Sequence, residues 1–135
     1  MICANLERVQ AVIRDTALRC GRDPKEIELV AVSKRMPTAA AAEAGRCGQT
    51  IFGENYLQDA IEKINQLDQS FRWHFIGHLQ SNKAKNAAEF FQVIETVDRI
   101  KIARALDKYA GHFSKNLEVI DKAVHFPEQV PDIFR

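Results

Sequence analysis

The sequence has no long hydrophobic run and no cluster of basic residues. Its 135 residues include 19 Lys and Arg against 18 Asp and Glu, giving a formal charge of +1, so the electrostatic footprint of a nucleic-acid-binding protein is missing. No stretch approaches the roughly 20 apolar residues of a membrane-spanning helix, and the start, MICANLERVQ, does not read as a signal peptide. We therefore expect a soluble cytoplasmic domain that binds neither nucleic acid nor a membrane.

Cysteine is also scarce. Cys3, Cys20 and Cys47 are odd in number and lack a C-x-x-C spacing, which argues against a disulfide framework or a zinc knuckle and favours a reducing compartment. Glycine-rich phosphate loops and a G-x-S-x-G nucleophile motif are absent. His74 and His78 would lie roughly 13 Å apart on a strand, which is too far for two ligands of one zinc ion. We expect no metal site.

Helix-like and strand-like patterns alternate along the chain. An amphipathic first helix, running from Leu6 to Ala17 and ending near Gly21, precedes four apolar strands that each lead into a helix. Such alternation predicts a parallel sheet with right-handed crossovers, in either a doubly wound sheet or part of a (β/α)₈ barrel. Since a closed barrel needs roughly 200 residues or more, the chain could supply only part of one. The predicted strands span 27–33, 50–53, 73–77 and 93–97, and an apolar piece at 117–120 could open a fifth unit.

Lys34 closes the first of these apolar runs, where a buried strand should end. In α/β folds, ligands bind at the carboxyl ends of the strands. An amine beside apolar walls loses proton affinity, and a neutral amine can attack an aldehyde to form a Schiff base. The alternative is a lysine that extends into solvent from the end of a strand. The residues alone leave both interpretations open.

Three more polar residues follow strands. Asn55, His78 and Asp98 come after the second, third and fourth strands, so all should meet Lys34 at one edge of the sheet. Asn55 and Asp98 could instead cap the helices that follow them, and His78 could be a hydrogen-bonded loop residue. Ser33 is a weak partner for Lys34, because consecutive residues on a strand point to opposite faces.

Four motifs resemble one known family. LVAVSK at 29–34, FGENYLQDA at 52–60, WHFIGHLQSNKAKN at 73–86 and VIETVDR at 93–99 are similar to the pyridoxal phosphate homeostasis proteins, the YggS/PROSC-like family. The resemblance implies the fold of the alanine racemase N-terminal domain, here a partial (β/α)₈ TIM barrel of about four strands after an N-terminal helix. It also implies that Lys34 forms a Schiff base with pyridoxal 5′-phosphate (PLP), and that Asn55 and His78 lie around the cofactor ring.

The resemblance ends before the chain does. Family members usually continue through eight strands, and their later motifs hold the phosphate and the pyridine nitrogen of PLP. We therefore expect residues 1–119 to form the N-terminal half of such a barrel and 120–135 to be a divergent tail, as in a truncated or frameshifted product, a fragment or a shortened paralogue. Inward-facing residues such as Val30, Val32 and Ile76 would then lose the opposite wall of their core, which should threaten folding.

The resemblance leaves three functions in play. The first is a PLP-binding homeostasis protein that holds the cofactor without turnover and could supply PLP-dependent apoenzymes. The second is a PLP-dependent racemase, which would need a second acid/base that alanine racemase takes from another domain and subunit. The third is a nonfunctional remnant or interaction module that no longer retains PLP. Two copies could also pair their open sheet edges as a homodimer.

Overall fold

Five parallel strands lie side by side in the order in which they occur along the chain. The computed structural model describes residues 1–121 and 133–134. An unreversed strand order is that of a (β/α)₈ barrel, whereas a doubly wound sheet changes direction at a switch point, so the structure settles the alternative that the sequence left open. The strands are β1 (Ala31–Val32), β2 (Ile51–Glu54), β3 (Arg72–Phe75), β4 (Val93–Val97) and β5 (Glu118–Asp121).

An N-terminal helix precedes the sheet, and one helix follows each of the first four strands. The first helix ends as predicted, with Gly21 just beyond it at a φ of 70°, the left-handed conformation typical of helix C-termini. Among the described residues the crossovers therefore repeat the unit that the sequence predicts. The helices are α1 (Ile2–Arg19), α2 (Thr38–Arg46), α3 (Leu57–Gln66), α4 (Ala84–Phe90) and α5 (Ile100–His112).

The number and length of the strands differ from the prediction. The prediction of about four strands is one too few, because the apolar piece at 117–120 contributes to β5, which pairs with β4. Conversely, β1 is limited to Ala31 and Val32, the two residues that pair with β2. The open edges of the described sheet are therefore β1 and β5. The proposed tail lies almost wholly at 122–132 and 135, outside the described residues.

Asp98 does not cap α5, although the sequence allows it to. The cap position is Arg99, with no side-chain cap bond, and the Asp98 carboxylate pairs with the Arg99 guanidinium at 3.2 Å. A one-residue shift in the helix start is enough to remove a cap, because capping geometry is specific to one position.

The core lies between the sheet and its helices. Ala31, Phe52 and Trp73 sit side by side in register, and all three are buried. The Phe52 ring lies 5.3 Å from the Trp73 ring. On the opposite face, Val32 remains 41 % exposed. The main core therefore lies on the face of the sheet that the helices cover. Loss of the opposite barrel wall, which was expected to expose the inner face, does not remove this core.

Cys3 and Cys47 form a disulfide that joins α1 to the end of α2, with Cα atoms 5.4 Å apart. The sequence argument against disulfides does not hold for this pair. Cysteine number and spacing say nothing about which helices pack together, and α1 and α2 bring these two residues into bonding range. Cys20 is free and exposed. No helix in the described part of the chain is long and apolar enough to cross a membrane.

Candidate functional site

The four residues predicted to share an edge all follow strands of the parallel sheet. Lys34 lies two residues beyond β1, Asn55 directly after β2, His78 three residues beyond β3 and Asp98 directly after β4. Because the strands are parallel, these positions lie at the same, carboxyl edge of the sheet. Asn55 does not cap α3, whose cap position is Tyr56.

Asn55 and His78 line a common cavity of about 370 Å³. Its walls come from the start of α3, from the 3₁₀ turn before α4 and from the first turn of α4, where Lys83 and Asn86 add polar groups. A volume of this order lies within the range of small-ligand sites. Lys34 and Asp98 do not line this cavity, so the structure brings together two of the four predicted residues.

Lys34 itself is exposed. The apolar walls expected from the sequence are therefore not provided by the described residues. The next residue, Arg35, adopts a positive φ of 61°, which is rare for a residue with a side chain. The Arg35 guanidinium donates to the Tyr56 hydroxyl at 3.1 Å and lies 5.3 Å above that ring. The turn that carries Lys34 is thus tied to the segment after β2.

A buried charged group lies beneath this turn. Lys63 and Glu54 form an ion pair with 3.0 Å between Nζ and Oε1, and the Ser33 hydroxyl donates to Glu54 Oε2 at 2.6 Å. This group was not predicted from the sequence, although one signal was present. Lys63 follows Ala60 by three residues on the apolar face of α3, where a lysine must find a partner to be buried.

The opposite face of the sheet carries a second polar pair. His74 Nδ1 lies 2.6 Å from Glu95 Oε1, across β3 and β4, and His74 Nε2 is buried without a partner among the described residues. His74 lies in β3 and His78 in the loop that follows. The described residues contain no cluster of three or more His, Cys, Asp or Glu side chains suited to a metal ion.

Gly77 brings the ends of β2 and β3 into close contact. A Cβ atom at this position would lie 2.3 Å from the Asn55 carbonyl oxygen, and backbone cannot yield as a flexible side chain can. The Gly77 carbonyl also accepts from the Thr96 hydroxyl at 2.5 Å. The lack of a side chain at Gly77 therefore allows the Asn55 backbone and the segment leading to His78 to lie against each other.

We expect Gly77→Ala to lower the free energy of unfolding by about 1–3 kcal/mol, the usual cost of an overpacked site. Gly111→Ala is the matched control, because nothing lies within 4 Å of a Cβ at that helical position. The control should be neutral or stabilising by up to about 1 kcal/mol. Urea denaturation measures both. Equal stability of the two variants would show that the Asn55 backbone can move away.

Comparison with known proteins identifies similar chains. The pyridoxal phosphate homeostasis protein of Escherichia coli K12 is 47 % identical over 110 residues, 78 % of this chain and 47 % of the relative. The protein of the same name from Pseudomonas aeruginosa is 49 % identical over 108 residues, 79 % of this chain and 47 % of the relative. The resemblance seen in the four motifs is thereby confirmed. No family model matches the chain.

A solved structure shows the same similarity in three dimensions. PipY of Synechococcus elongatus PCC7942, solved with PLP bound, superposes with a TM-score of 0.76 at 36 % identity, covering 95 % of this chain and 57 % of PipY. The partial-barrel fold is thus shared with a protein that binds PLP. The chain spans about half the length of the curated relatives it matches.

Proposed function

We propose that this chain binds pyridoxal 5′-phosphate as a Schiff base on Lys34, without turning over a substrate, and serves intracellular PLP homeostasis. The observation that carries the proposal is the exposed Lys34 amine at the carboxyl edge of a barrel-type sheet. That edge is where barrel proteins place their ligands. The names of the E. coli and P. aeruginosa relatives and the PLP bound to PipY support it.

The chemistry of the residues at this edge fits the cofactor. PLP supplies an aldehyde, with which a primary amine condenses, and Lys34 is an amine that solvent can reach. Asn55 and His78 carry hydrogen-bonding groups suited to the polar substituents of a pyridine ring. Gly77 allows Asn55 and the loop of His78 to lie adjacent.

The proposal assigns the chain a binding role without catalysis. Racemisation needs a second acid/base opposite the lysine, which the resemblance to alanine racemase places in another domain and subunit. Release of PLP to apoenzymes in the cytoplasm would complete a homeostasis role.

Two copies pairing through the edges β1 and β5 would form a dimer, which gel filtration would detect.

The alternative is a remnant or interaction module that does not retain PLP. One observation favours it: Lys34 does not line the cavity that Asn55 and His78 share. If Lys34 cannot reach a bound cofactor, the residues at the edge do not act as one site.

Borohydride trapping decides between these functions. Incubation with PLP, reduction and mass spectrometry should show near-stoichiometric labelling at Lys34, which Lys34→Ala abolishes. Lys101→Ala, at an exposed position in α5, is the matched control and should leave labelling of Lys34 unchanged. Labelling scattered over surface lysines, or none, would contradict the proposal and support the remnant. A racemase assay on the PLP-incubated protein, taken before reduction, tests the absence of turnover.

A further inference from the structure

Ser33, the residue before Lys34, has a hydrogen-bond partner for its amide, its hydroxyl and its carbonyl. The Ser33 amide donates to the Gly53 carbonyl at 3.0 Å, and its hydroxyl donates to Glu54 at 2.6 Å. The Ser33 carbonyl accepts from Lys63 Nζ at 2.6 Å and from the Met36 amide at 3.1 Å. A serine with all these bonds made has little freedom to shift.

These contacts close a turn around Lys34. The bond from Met36 to Ser33 spans the turn, and Lys34 and Arg35 are its two central residues. Arg35 at positive φ stores strain that surrounding contacts must offset. The carbonyl that closes the turn is the one that Lys63 binds, so α3 controls the geometry at the end of β1.

The two charged members of the network are deeply buried: Glu54 is 0 % and Lys63 5 % exposed. Apolar side chains of similar size often stabilise such a position as well as an ion pair does. They could not, however, bind the Ser33 carbonyl and hydroxyl. The presence of a charged pair at this position is therefore better explained by a role in fixing the geometry of the turn than by a contribution to stability alone.

We propose that Glu54 and Lys63 are positioning residues that fix the turn after β1 and thereby aim the Lys34 amine for reaction with an aldehyde. The inference rests on the proposed function of Lys34 and deepens it. Both act through Ser33, whose hydroxyl and carbonyl they bind. Loss of the network should leave Lys34 present but wrongly oriented.

The test combines two readouts on Glu54→Leu/Lys63→Met, in which apolar groups replace the pair. Hydrogen exchange of the Met36 amide, measured without PLP, should be at least about tenfold faster, since its acceptor is no longer held. Borohydride trapping of PLP on Lys34 should fall at least about tenfold in rate. Leu106→Ala, at a buried position of α5, is the control for general destabilisation and should change neither readout by a comparable factor.

The outcomes separate this inference from the proposed function. Unchanged Met36 exchange would overturn the inference, whether or not Lys34 binds PLP. Faster exchange with unchanged trapping would also overturn it, because the turn would then not orient Lys34. If the unaltered protein traps no PLP, the proposed function fails and with it the role toward the aldehyde, while exchange still reports whether the network holds the turn. Equal effects in Leu106→Ala would show that both changes come from general destabilisation, and would overturn the inference that the network orients Lys34.

Discussion

Replacing Lys63 alone by methionine is expected to lower the free energy of unfolding by about 3–5 kcal/mol, the range found when one partner of a buried ion pair is removed. The Glu54 carboxylate is 0 % exposed, and after the substitution only the Ser33 hydroxyl would remain bonded to it. The loss comes mainly from leaving that charge buried and unpaired. The net contribution of the intact ion pair to the free energy of unfolding can be small even though removal of one partner costs this much.

Urea denaturation of three variants tests this origin of the effect. Glu54→Leu/Lys63→Met removes both charges and should recover most of the loss, to within about 2 kcal/mol of the unaltered protein. Lys101→Met makes the same substitution at an exposed position of α5 and should change stability by about 0.5 kcal/mol or less. A double variant as unstable as Lys63→Met would show that the pair is itself a large source of stability.

The repeated strand–helix unit could be predicted from the sequence because each apolar run has a clear period and a clear end. The order of the strands could not, since periodicity describes one element at a time and pairing is a property of two. The length of β1 shows the same limit. Residues 27–33 look like a strand, yet only Ala31 and Val32 pair with β2.

For the candidate site, too, one part could be predicted from the sequence and another could not. Lys34, Asn55 and His78 could be placed at one edge because each follows a strand, and parallel strands share that edge. Their side-chain surroundings could not be predicted: Lys34 is exposed, whereas Asn55 and His78 share a cavity without it. Partnerships between elements distant in sequence, such as that of Cys3 with Cys47, leave no local pattern. Their roles with a cofactor stay predictions.

The position of the core explains how a partial barrel can be stable. The ring of Phe52 is fully buried on the helix-covered face of the sheet, between Phe71 at 5.1 Å and Trp73 at 5.3 Å. Val32, on the opposite face, is 41 % exposed. Since the Phe52 ring is packed on the helix-covered face while Val32 is partly open to solvent, the inner-face side chain of β1 should contribute little to stability in this chain.

Phe52→Ala is therefore expected to lower the free energy of unfolding by about 3–5 kcal/mol, because it removes a fully packed ring and leaves a cavity. Val32→Ala, the matched control on the opposite face of the neighbouring strand, should cost less than about 1 kcal/mol. Urea denaturation measures both on the same scale. A Val32→Ala loss as large as that of Phe52→Ala would mean that something covers the inner face in solution, for which a second copy of the chain, detected by gel filtration, would be the first explanation to test.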